Sequence, residues 1–197
     1  MTRARCLGIF LWALAFFACA PLDTIVVDLP LDADGGRPRP EPPCVDSSDC
    51  AQGNFCEKMS CEAPVGRCRP RPVACTGEAA PSCGCNGVNY WNDCLRRAQG
   101  IAAHVDGECT SPAACAGPGS SACPDSDAVC GLLLPPGAPC GAPPTGVCWL
   151  LPATCPSSVA GATAWQACGP PGPGALCTDL CSALRTGTPH RRANTCL

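Results

Sequence analysis

Cysteine carries most of the chemistry open to this sequence, with 22 of its 197 residues. A thiol can bind zinc, attack a carbonyl or close a disulfide, and spacing separates the three. No C-x-x-C pair occurs, and His104 and His190 are the only imidazoles. Structural zinc sites are built on such pairs, and Cys83-Gly84-Cys85 is too isolated to form one. No metal site is expected. Neither His has a Ser or Cys nucleophile beside it in a repeated pattern, and G-x-S-x-G, H-E-x-x-H and P-loop motifs are absent. The chain is therefore not expected to be an enzyme or to need a cofactor. Oxidation remains. Cysteine at about 11% is in the range of a disulfide scaffold, and disulfides persist in oxidising compartments.

The N-terminal segment agrees with export. Arg3 and Arg5 precede the apolar run Cys6–Ala18, 13 residues that are too few to span a bilayer comfortably. The exit reads Ala15-Phe16-Phe17-Ala18-Cys19-Ala20-Pro21. A small residue directly before Cys19 resembles the lipobox of bacterial lipoproteins, which makes residues 1–18 the signal and Cys19 a lipid anchor to the membrane. The competing exit is ordinary cleavage after Ala18-Cys19-Ala20, giving a secreted or periplasmic protein. Residues 19–43 read as a tether, in which alternating Pro favours an extended spacer. Its aspartates lack the closing Glu of a calcium loop. The net charge of −3 is too mild to imply a nucleic-acid partner.

Only five aromatic rings lie beyond the signal: Phe55, Tyr90, Trp91, Trp149 and Trp165. They cannot anchor one large core, so small stapled modules are expected, with the tryptophans covering disulfides. The cysteines fall into two sets of ten, at 44–109 and 115–196. Six residues separate Cys68 from Cys75 and Cys148 from Cys155, with Pro72 and Pro152 at matching places. Fourteen separate Cys94 from Cys109 and Cys181 from Cys196, with Gly100 and Gly187 matching. The spacing predicts that 115–196 is a diverged, Cys-rich repeat of 44–109. Count alone does not fix the pairing. Residues 44–67 read as a four-Cys knob, possible pairs within it being one option among several.

Residues 68–109 carry the clearest local signals. Asn86-Gly87 favours a two-residue type I′ turn, joining Pro81–Cys85 to Val88–Trp91 as a hairpin. Asn92 or Asp93 can cap a short helix over Cys94–Gln99, with Gly100 as its stop and Ile101–Val105 as a returning strand. The expected fold is small, disulfide-rich and loop-dominated α+β.

This stretch resembles a Kazal-type serine protease inhibitor domain. Cys75-Thr76-Gly77-Glu78 and Pro81 match its exposed loop, Cys83-Gly84, Asn86-Gly87, Tyr90, Asn92 and Cys94 its central block, and Cys109 its end. The resemblance implies a short hairpin plus short helix and the disulfides Cys75–Cys94 and Cys83–Cys109. The family's further helix Cys has no counterpart near Arg97, so Cys68–Cys85 is the expected replacement. It also implies a substrate-like inhibitory loop. Gly77 would enter the primary specificity pocket, with Thr76 and Glu78 on either side. Asn92 and Tyr90 would support the loop. With no side chain at Gly77, elastase-like or subtilisin-like serine proteases are the expected partners. The alternative is a non-inhibitory cell-surface module.

Overall fold

The computed structural model describes residues 41–117, 121–157, 163–169 and 177–193. The proposed signal, Cys19 and most of the tether lie outside them. The described residues form one compact unit. It is strand-dominated rather than loop-dominated: eleven strands accompany two short α-helices and one 3-10 turn.

A three-stranded sheet comes first. β1 (Pro43–Cys44) and β2 (Asn54–Glu57) flank β3 (Gly66–Pro70). The end of the expected tether therefore belongs to the fold. Pro43 pairs with Arg67, the Pro42 carbonyl accepts from the Cys68 N–H, and Glu41 pairs with Arg69 at 2.9 Å.

The second sheet contains β4 (Ser82–Gly84), β5 (Asn89–Tyr90), β6 (His104–Asp106), β7 (Ala114–Ala116), β8 (Val129–Leu133), β9 (Thr145–Leu150), β10 (Ala164–Ala167) and β11 (His190–Ala193). Its order is β10-β11-β8-β9-β5-β4-β6, with β7 also on β9. β4 and β5 form the expected hairpin, but through a longer turn. Gly87 N–H reaches the Gly84 carbonyl, Gly84 N–H reaches Val88, and Gly87 sits at φ 75°. That is a three-residue connection with glycine in the left-handed position. α1 (Asp93–Ala98) follows its N-cap Asn92, and Gly100 at φ 73° ends the turn. The returning strand is β6, shorter and later than the sequence suggested.

The two halves meet strand to strand. β5 runs parallel to β9, pairing Asn89 with Trp149 and Tyr90 with Leu150. The five rings are all buried. Val88 and Tyr90 pack with Cys148 and Leu150, while Trp91 and Trp149 pack with Cys181 and Leu184. Three of the five rings, Tyr90, Trp91 and Trp149, thus lie at the seam, while Cys44, Cys56 and Cys68 form a separate cluster in the first sheet.

Among the described residues nine disulfides close: Cys44–Cys56, Cys50–Cys68, Cys61–Cys85, Cys75–Cys94, Cys83–Cys109, Cys115–Cys130, Cys123–Cys148, Cys140–Cys168 and Cys155–Cys181. Cys177 is also disulfide-bonded. Cys68–Cys85 does not form. Cys68 lies on the central strand of the first sheet, where Cys50 reaches it, and Cys85 on the hairpin turn takes Cys61. The 44–67 knob is accordingly not closed on itself: only Cys44–Cys56 stays inside it. So dense a set of disulfides marks an exported protein.

The halves share several local arrangements. Cys56 faces Cys68 across β2 and β3, and Cys130 faces Cys148 across β8 and β9. Two residues before each second cysteine stands a glycine. A Cβ on Gly66 would lie 2.3 Å from the Glu57 carbonyl oxygen, and one on Gly146 would lie 2.5 Å from Cys130 Sγ. α2 (Leu180–Arg185) has Asp179 as N-cap, carries Cys181 at its second position as α1 carries Cys94, and is followed by Gly187 at φ 64°.

Candidate functional site

The segment Cys75–Ala80 runs beside the start of α1 and is fastened at both ends. Cys75 is bonded to Cys94, and the Ala80 N–H donates to the Trp91 carbonyl at 3.0 Å. Between these ties, Asn92 does two things. Its Oδ1 accepts the Leu95 N–H at 3.0 Å, capping the helix. Its Nδ2 donates to the carbonyls of Thr76 and Glu78, both at 2.9 Å. A side-chain amide suits this post because it carries both an acceptor and two donors. The helix fixes the amide, and the amide fixes the loop. Thr76 and Glu78 are exposed, whereas Gly77 is half-buried.

The Gly77 carbonyl has its own partner. Trp91 Nε1 donates to it at 2.8 Å. Trp91 is buried and meets Trp149 edge to face, with ring centroids 6.5 Å apart. Its backbone N–H donates to the Leu150 carbonyl at 3.0 Å. Pro156 is also close: a side chain beginning at Gly77 would lie 3.6 Å from its Cβ and 3.9 Å from its Cδ. From sequence, Trp91 is expected only to cover disulfides, and Pro156 has no expected role. Adjacency of Trp91 to Asn92 was the one available signal for the first, and nothing local marks the second.

Tyr90 is placed away from the loop. Its ring packs on Gly84 in the seam, its hydroxyl accepts from Asn86 Nδ2 at 2.9 Å, and it donates to Asp125 at 3.4 Å. Burial pushes the phenol above its ordinary range; the Asn86 hydrogen bond opposes this and the Asp125 carboxylate adds to it. Its neighbour Asn89 accepts the Cys109 N–H at 2.7 Å, tying the C-terminal end of the segment to β5.

Arg96 is a residue that sequence reasoning passed over. It is fully buried, with its guanidinium bonded to Asp93 at 2.6 Å, to Glu57 at 3.3 Å and to the Ile101 carbonyl. Three groups of cysteines come close enough to suggest a metal: Cys44, Cys50 and Cys68; Cys115, Cys123 and Cys148; and Cys155 and Cys181 with Asp179. All these cysteines are in disulfides, so none offers the thiolate that ligation needs.

Compared with protein-family models, curated proteins and solved structures, the chain finds no match. The site must be read from its geometry. Among the described residues no helix is long and apolar enough to cross a membrane.

Proposed function

We propose that this is an exported binding protein, not an enzyme, whose Kazal-like segment 68–109 inhibits a secreted serine protease through the bond between Gly77 and Glu78. The observation that carries this reading is the Asn92 amide held between the Thr76 and Glu78 carbonyls. A loop fixed on both sides of one peptide bond loses little conformational entropy on docking. If that bond were cut, Cys75–Cys94 and the Asn92 bonds would keep the new ends together, so religation would compete with release. Gly77 offers no side chain to a deep pocket, which favours elastase-like or subtilisin-like targets and modest affinity.

The same reading takes residues 115–196 as a diverged copy of 44–109, supported by the matched cysteine pairs across β2–β3 and β8–β9. It takes Cys19 as a lipidated membrane anchor. A second reading, a non-inhibitory surface module, is favoured by Gly77 being half-buried rather than fully presented. Titration of the oxidised full chain against elastase-like, subtilisin-like, chymotrypsin-like and trypsin-like proteases separates the two. Saturable inhibition with slow cleavage between Gly77 and Glu78 is expected. Rapid cutting without any delay to the protease, or no interaction across the panel, would leave the second reading.

A further inference from the structure

We infer that Trp91, together with Pro156 from the second half of the chain, latches the loop, holding it out of reach of a protease until these contacts open. The inference rests on the inhibitory reading and adds a control to it. A serine protease places the carbonyl of the attacked bond in its oxyanion hole, where backbone N–H groups must reach that oxygen. Here the corresponding oxygen, that of Gly77, accepts the Trp91 indole N–H at 2.8 Å. The indole has little freedom to leave. It is buried against Trp149, and the Trp91 backbone is bonded to Leu150 on β9. A protease must also enclose the residue at Gly77 with the walls of its specificity pocket. Pro156 already occupies one side of that position at van der Waals distance.

Both latch contacts depend on the second half: Trp91 through its bond to Leu150, and Pro156 as a residue of that half. Pro156 follows Cys155, which is bonded to Cys181 on α2. Both the loop residue Ala79 and Pro156 border a cleft of about 490 Å³, lined also by Trp91, Trp165 and Leu180. Space therefore exists for the proline segment to move without dismantling a core. A binder whose competent form is only partly populated has its apparent affinity reduced by that fraction. The latched chain should thus inhibit weakly and with slow onset.

The test compares the oxidised full chain with Pro156→Gly and Trp91→Phe against a subtilisin-like protease. Exchange of the Ala80 amide proton in all three proteins, and of the Trp91 indole proton where present, is read by NMR. Each substitution should lower the apparent inhibition constant about tenfold and speed the onset, and the Ala80 amide should exchange faster. Pro156→Gly leaves the ring cluster intact, so it serves if Trp91→Phe fails to fold. If the full chain inhibits as strongly as both variants, the latch is overturned and the inhibitory reading stands. Faster exchange in the variants with no inhibition by any of them would keep the latch and end the inhibitory reading. Exchange unchanged by Pro156→Gly would overturn the latch.

Discussion

The guanidinium of Arg96 lies 3.3 Å from the carboxylate of Glu57, a residue 39 positions earlier on β2. The pair fastens the first small sheet to α1, the helix that holds the loop. Arg96 is enclosed while Glu57 is partly open to solvent, so the arginine depends on its partners more than they depend on it. Glu57 also meets Arg69 at 3.6 Å and Arg97 at 3.3 Å, which makes it the hub of a small ionic cluster.

Truncating Arg96 should therefore be costly. Arg96→Ala removes a buried side chain and leaves the Ile101 carbonyl without its partner. A loss of about 3 kcal/mol is expected. Arg96→Met, which refills the space without a charge to bury, should cost much less. Chemical denaturation of the oxidised proteins measures both. Equal losses would mean that the ionic cluster, and not packing, holds the helix.

Asn92→Asp separates the two jobs of that side chain. Aspartate caps helices about as well as asparagine, but it has no N–H to give Thr76 and Glu78 and sets a carboxylate against their carbonyls. The helix should persist by circular dichroism, while a protease cuts the loop at least several-fold faster. Asn92→Ala should lose the cap as well, about 1 kcal/mol more. An unchanged cutting rate in the aspartate variant would remove Asn92 as the loop's brace.

Gly66 and Gly146 are each required by close approach. Alanine at either would bring its Cβ to within 2.5 Å of a neighbouring atom. Gly66→Ala and Gly146→Ala should each cost about 2 kcal/mol. Gly141→Ala, where nothing lies within 4 Å, should be neutral. Denaturation midpoints decide, and a tolerated Gly146→Ala would contradict the tight β7–β9–β8 packing.

Asp179 predicts an acid-sensitive helix. Burial alone would raise its carboxyl, but hydrogen bonds from the Ser182 backbone and hydroxyl, with further backbone N–H groups, bring it below the usual value of 3.8. A folded pKa below the unfolded one gives stability that is present above the unfolded value. That stability is lost as pH falls through the folded one. Stability should thus decline below about pH 4, and Asp179→Asn should flatten part of that decline while keeping the cap. An unchanged acid profile in the variant would assign the decline elsewhere.

The sequence made the hairpin, α1 and the glycine that ends it legible, because each depends on neighbours within a few residues. Cys75–Cys94 and Cys83–Cys109, implied by the resemblance, are both present. Cys50–Cys68 and Cys61–Cys85 were not legible, because pairing depends on which strands lie side by side. The β5–β9 pairing was invisible for a similar reason. Parallel strands leave no turn between them, and Asn89-Tyr90 gives no hint that Trp149-Leu150 will lie alongside. A basic residue in a short helix reads as a solvated one, so Arg96 betrayed nothing until Glu57 was folded against it. The Thr76 and Glu78 bonds to Asn92 lay within reach of sequence reasoning, whereas Pro156 against Gly77 did not.

The disulfides overlap like roof tiles from Cys44 to Cys109 and again from Cys115 to Cys181, and none of these nine bridges the five residues between Cys109 and Cys115. Under tension each half is nearly inextensible, because pulling meets covalent bonds before it meets sheets. The yielding element is the seam of β5 on β9, which among the described residues is held by hydrogen bonds and packed side chains. A molecule stretched between its two ends would part there first, lengthen only slightly, and in parting lift Pro156 from Gly77.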